Sequence, residues 1–285
     1  MTKIRPAAIC LAAFLAAASP ALAGTTEAWD AYNRGDFAKA EQLAKPEAER
    51  GDAEAQYLMG LLNSEGDVGP RDEATASRWY QKAANQGQAD AENALGYDYD
   101  FGLGLPRDHA QAQLWYGKAV AAGSVLARNN IAYEWAQAGE RLNEALAYAR
   151  EAVADDPQNG AYQDTLGWIY YRQKRFEEAV PPLCRAAKLD PGSPEIHSHL
   201  GDAFWHVGLE TNARMQWQQA IDLTESHQYV SQEGEDFLYA EGDQPFEEKM
   251  KKRLADGPGD GPAPTGADKA TPGQAAPEDC SIPSS

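Results

Sequence analysis

The chain has 285 residues, 44 acidic against 25 basic, and a formal net charge of −19. That balance repels nucleic acid and anionic lipid headgroups, so both are excluded as partners and a protein or peptide partner is expected. Only three cysteines are present, Cys10, Cys184 and Cys280, too few for a disulfide-stapled scaffold and without the spacing of a Cys-x-x-Cys metal knuckle.

At the N-terminus, Lys3 and Arg5 precede an apolar run from Pro6 to Ala18, and Ala21-Leu22-Ala23 supplies a small-x-small cleavage site. The run is too short to cross a bilayer, so residues 1–23 read as a cleavable secretory signal and the mature chain starts near Gly24 without a transmembrane segment. Cys10 falls inside the run and no cysteine follows the cleavage site, which argues against a lipid anchor. Export of this kind places the protein in the periplasm, and cleavage makes the charge more negative by removing Lys3 and Arg5.

From Glu27 the sequence reads as a helical hairpin turned at Arg34-Gly35-Asp36, with Trp29, Tyr32, Phe37, Ala40 and Leu43 at helical spacing on either side. A period of 36 follows. Ala53, Gly60, Gly66, Pro70-Arg71-Asp72, Trp79-Tyr80, Lys82-Ala83 and Gly87 return as Ala89, Gly96, Gly102, Pro106-Arg107-Asp108, Trp115-Tyr116, Lys118-Ala119 and Gly123. A fixed period of this size marks a helical repeat, and this pattern resembles the Sel-like repeat. Residues 24–124 are therefore an N-terminal hairpin plus two Sel-like repeats.

A helix is predicted over Val125–Ala138, with Glu140 as an insertion in the following turn. The period then becomes 34: Leu166-Gly167, Tyr170, Ala179 and Ala186 return as Leu200-Gly201, Phe204, Ala213 and Ala220. Gly167 and Ala179 are where two antiparallel helices touch, Leu183 fills the space beside them, and Asp190-Pro191 stops the second helix. This pattern resembles the tetratricopeptide repeat, and residues 125–226 hold three such units. The resemblance implies an all-α, right-handed α-solenoid of helix-turn-helix repeats, running on from the Sel-like repeats without a linker. Pro181-Pro182 departs from the pattern and predicts a kink or a late helix start.

Residues 227–256 comprise an acidic loop, Glu233 to Asp243, and a capping helix opened by Pro245, with Phe246, Met250 and Leu254 on one face. Gly257 to Ser285, rich in Gly and Pro, reads as a disordered tail. With Cys184 on a helix and Cys280 in that tail, the reading favours no structural disulfide, and it makes the tail dispensable for folding.

No nucleophile elbow, phosphate loop or His-Glu-x-x-His helix is present. His197 and His199 point about 200° apart on a helix, and His206 is half a turn out of phase with His197. They are read as one packing and two surface histidines. Catalytic residues, metal ligands and cofactors are accordingly expected to be absent. The Glu233–Asp243 carboxylates lack calcium-loop spacing.

In tetratricopeptide repeats the first helix of each unit lines the concave face. The resemblance therefore puts Asp164, Trp168, Tyr171 and Arg172, then Ser198, Asp202, Trp205 and His206, with Tyr133 from the unit before, along an inner groove. Trp, Tyr, Arg and Asp compose a protein-binding hot spot, while Trp168 and Trp205 packing between helices is the alternative. The family implies a non-enzymatic protein-protein interaction scaffold or assembly factor of the bacterial cell envelope, binding a partner segment in that groove. The second reading is a periplasmic inhibitor of a membrane sensor kinase.

Overall fold

The computed structural model describes residues 20–225, 246–257 and 280. The apolar run Pro6–Ala18, the acidic loop Glu233–Asp243 and most of the tail lie outside them. Thirteen α-helices and no strand occupy the described residues, and none of the helices is long and apolar enough to cross a membrane. They fall into two compact units, residues 1–86 and 87–285. The division comes between the two 36-residue repeats.

The first unit holds α1 (Pro20–Asn33), α2 (Phe37–Glu49), α3 (Ala53–Ser64) and α4 (Glu73–Ala84). Gly35, at φ +76°, makes the expected turn, and Asp36 caps α2 by accepting the Lys39 amide. Ala28, Ala31, Ala40, Ala44, Leu58 and Leu62 form the core, with Trp29, Tyr32 and Phe37 packed against it. Small alanines on facing helices let the backbones approach, and the aromatic rings fill the remaining space.

The second unit holds α5 (Ala89–Phe101), α6 (His109–Ala121), α7 (Val125–Ala138), α8 (Leu142–Asp155), α9 (Gly160–Arg172), α10 (Phe176–Leu189), α11 (Pro194–His206), α12 (Glu210–Glu225) and α13 (Phe246–Asp256). One contact recurs through both units. A Cβ on Gly60 would meet the Tyr80 ring at 2.2 Å, on Gly96 the Tyr116 ring at 2.6 Å, on Gly167 the Leu183 side chain at 2.5 Å, and on Gly201 the Trp217 ring at 2.4 Å. The repeating glycine of each first helix is thus the socket for one large side chain of the second. A Cβ on Gly167 or Gly201 would also come within 3.1 Å of the backbone carbonyl of Ala179 or Ala213 respectively.

The loops of the 36-residue repeats behave as their residues predict. Gly66 and Gly102 take φ +74°, and Asp72 and Asp108 prove to be N-caps, accepting the amides of Thr75 at 2.9 Å and Gln111 at 3.1 Å. Of the two outcomes expected from Pro181-Pro182, the late helix start does not occur. α10 starts at Phe176 and runs unbroken through both prolines. The carbonyls that lose their amide partners belong to Glu177 and Glu178, both exposed, so water takes the place of the missing bonds and the helix tolerates them.

Two further expectations are corrected. Cys184 of α10 is bonded to Cys280, both are buried, and Cys280 is part of the main core of the second unit. His197, His199 and His206 are 2%, 1% and 9% exposed, so none is a surface residue. The angular argument assumed water along one side of α11, yet nearly all of this helix is buried.

Candidate functional site

The expected groove residues do come together on α7, α9 and α11, but mostly inside the protein. Asp164, Trp168, Tyr171, Ser198, Asp202, Trp205 and His206 are buried, while Tyr133 and Arg172 are half-buried. The 34-residue period sets matching faces of α9 and α11 against each other, and His199, which the stripe did not include, sits at their centre. Its ring stacks on Trp168 with centroids 4.1 Å apart, and Trp168 stacks in turn on Tyr171 at 4.9 Å. Further along, Phe176 stacks on His206 at 4.2 Å.

Polar contacts tie this stack together. His199 Nδ1 lies 3.0 Å from both carboxylate oxygens of Asp164. Tyr133 donates its hydroxyl to Glu195, and Arg172 donates to the Gln137 carbonyl at 2.8 Å. The buried indole nitrogens of Trp168 and Trp205 find no acceptor among the described residues, as is also true of Trp115 on α6.

Burial by itself pulls the His199 imidazole down, but the carboxylates of Asp164, Glu195 and Asp202 outweigh it and hold the group above its ordinary value. A raised histidine contributes stability that is complete below its unfolded value, about 6.5, and is lost as pH rises through the folded value. The wild type is therefore expected to lose melting temperature over that alkaline interval relative to Asp164→Asn, which lacks the partner charge. Parallel pH profiles of the two proteins would contradict the imidazolium-carboxylate pair.

α13 packs against α12 and reaches α11 through single side chains. Arg253, itself buried, places Nη2 2.5 Å from Asp202 Oδ2 and donates through Nη1 to Ser198 Oγ at 2.6 Å. Trp217 Nε1 donates to the other Asp202 oxygen at 2.9 Å. Burial pushes the Asp202 carboxyl up while Arg253, His199 and Lys249 pull it down, so the guanidinium is the main compensation for a carboxylate that water does not reach. At the end of α13, Gly257 at φ +79° lies against the Trp205 ring, where a Cβ would come within 2.5 Å. The cap thus closes through Phe246, Met250 and Arg253, with Leu254, half-buried, packed against the same core as expected. Nothing in the periodicity marks Arg253, because a buried cation on a helix face looks like any solvated one.

A second cluster joins α5, the first residue of α6 and α7: Asp100, His109 and Glu134. His109 Nδ1 is 2.7 Å from Asp100 Oδ1 and 3.7 Å from Glu134 Oε1. Burial and then the Asp100 charge push the Glu134 carboxyl up to about 8, and burial raises Asp100 as well against the pull of His109. The sequence signal for it was a departure from the 36-residue repeat. Asp100 and His109 stand where the first repeat has Ser64 and Glu73, which bond instead to Tyr80 and Arg71.

Comparison with known proteins agrees with the repeat periods. The Sel1 repeat family matches residues 53–88 and 89–124, and a tetratricopeptide repeat family matches residues 136–194. The chain therefore carries Sel1 and tetratricopeptide repeats. Over 94 residues it is 29% identical to the type IV pilus assembly protein PilF of Pseudomonas aeruginosa, an alignment covering 32% of this chain and 37% of that protein's length. Its fold is similar to c5321, a protective antigen of uropathogenic Escherichia coli strains, with a TM-score of 0.57 and 21% identity over 90% of this chain and 56% of the other. A Sel1 repeat protein from Oxalobacter formigenes aligns with 70% of this chain and 84% of its own at 22% identity and a TM-score of 0.49. Such repeats make the chain an interaction scaffold of the protein- or peptide-binding kind, and the families concerned are in general non-enzymatic.

Proposed function

We propose that this scaffold works in the bacterial cell envelope, as an assembly factor that seats a helical segment of a partner protein against α11, where its own α13 reaches Ser198, Asp202 and Trp205, and along the neighbouring face of α9. The observation that carries this reading is Arg253, a buried cation reaching from α13 to Ser198 and Asp202. A side chain of this kind is what a partner's helix would have to supply. The orphan donors of Trp168 and Trp205 point the same way, since buried donors without acceptors are costly and an incoming segment's carbonyls would satisfy them.

Three features support the envelope. The sequence has the layout of an export signal up to Ala23. The Cys184–Cys280 bond suits an oxidising compartment. PilF, which matches over part of its length, is a pilus assembly protein.

The test is site-specific photo-cross-linking in whole cells from positions 133 and 172, the half-buried edge of the seat. The reading expects one envelope assembly protein to be captured from both positions, and more of it when Arg253→Ala loosens α13. Capture of a membrane sensor kinase would instead make the chain a regulator, and cross-links confined to cytoplasmic proteins would end the envelope reading.

A further inference from the structure

Beyond protein binding, we propose that Asp100, His109 and Glu134 form a binding site for a divalent transition-metal ion, with zinc as the best-matched occupant. One ligand atom from each of the three residues can be chosen so that all lie within 4.8 Å of one another. Around tetrahedral zinc, with ligands at about 2.0–2.2 Å, neighbouring ligand atoms stand about 3.3–3.5 Å apart. The two distances to His109 Nδ1, 2.7 and 3.7 Å, lie on either side of that edge, so side-chain shifts on the order of an ångström bring imidazole and carboxylates onto one ion.

The independent observation is Glu134. It is 7% exposed, its carboxylate faces the cluster, and Oε2 has no hydrogen-bond partner among the described residues. Its other oxygen receives one long bond, from Gln113 at 3.4 Å. Two buried carboxylates converge on one imidazole and one of them has an unused oxygen, so the cluster holds donor atoms that the protein itself leaves without a full set of partners. A dication would supply the missing partner. Two oxygens and one nitrogen are a donor set for zinc and its first-row neighbours more than for magnesium, which prefers oxygen and retains water.

The placement also makes sense of access and consequence. His109 is half exposed and forms the open side by which an ion enters, while Asp100 and Glu134 form the floor. The ion would fasten the last turn of α5 and the start of α6 to α7, the helix that carries Tyr133 of the seat. Because the site lies away from α11 and α13, its occupancy and partner binding can fail separately.

The experiment is calorimetric titration of zinc into full-length protein freed of metal by chelator, with melting curves alongside. One equivalent should bind and raise the melting temperature, magnesium at the same concentration should do neither, and Glu134→Gln and His109→Ala should each weaken zinc binding by about tenfold or more. His109 is exposed, so its alanine variant keeps the fold testable even if Glu134→Gln changes stability. Absence of stoichiometric binding, or zinc binding that survives both substitutions, would overturn the site. An equal response to magnesium that His109→Ala leaves intact would reduce it to a cluster of carboxylates.

Discussion

Cys280→Ser is expected to destabilise the protein by about 3–5 kcal/mol, and reductant should do the same to the wild type while leaving the variant unchanged. The bond closes a loop between residues 96 apart, and cross-linking a loop of that size removes an unfolded-state entropy worth about 4–5 kcal/mol. Both sulfurs are buried, so the serine hydroxyl adds a desolvation cost to the loss of the link. For the same reason, a chain ending after Gly257 should melt well below the full-length protein, the reverse of what the composition of the tail suggests. Identical melting curves with and without reductant would contradict the pairing.

Trp168→Ala is expected to cost about 3–5 kcal/mol, the range for a large aromatic removed from a core. Trp168 is 5% exposed and holds a stack of three rings, His199 and Tyr171 on either side of it. The conservative Trp168→Phe should be much milder, because it keeps a stacking face and removes an indole N–H that bonds to nothing described. Thermal melts check both. An unaltered melting temperature for Trp168→Ala would return this residue to an open groove that the fold does not need.

What could be read in advance was whatever depends on neighbouring residues and a fixed period. Gly60, Gly96, Gly167 and Gly201 were legible as repeat positions because they recur at 36 or 34 residues, and Gly167 as a close helix contact; the rings of Tyr80, Tyr116 and Trp217 opposite the others came from the structure. Loop glycines and capping aspartates were legible for the same reason. The tolerance of Pro181-Pro182 was not, since it turns on whether the carbonyls of Glu177 and Glu178 face water.

The seat was half legible. The 34-residue stripe identified Asp164, Trp168, Tyr171, Ser198, Asp202, Trp205 and His206 as one surface, but helical spacing does not say what lies against a surface. α11 is enclosed by its neighbours, so the histidines became interior groups and Arg253, distant in sequence, became the counter-charge of Asp202. The pairing of Cys184 with Cys280 was hidden by a separation of 96 residues. The Asp100, His109 and Glu134 cluster was hidden because its members come from three helices.

The most direct test of the claim that α11 is a seat for a helix uses the helix already in it. A labelled peptide of residues 246–257 is titrated into wild type and into Phe246→Ala/Arg253→Ala, in which the tethered copy has lost two anchors. In the wild type the tethered helix competes at an effective concentration on the order of millimolar, so the free peptide should not bind measurably. The double variant should bind it saturably, with affinity reduced severalfold or more when Asp202→Asn is added. Failure of the peptide to bind the folded double variant, or equal binding to wild type, would contradict the account.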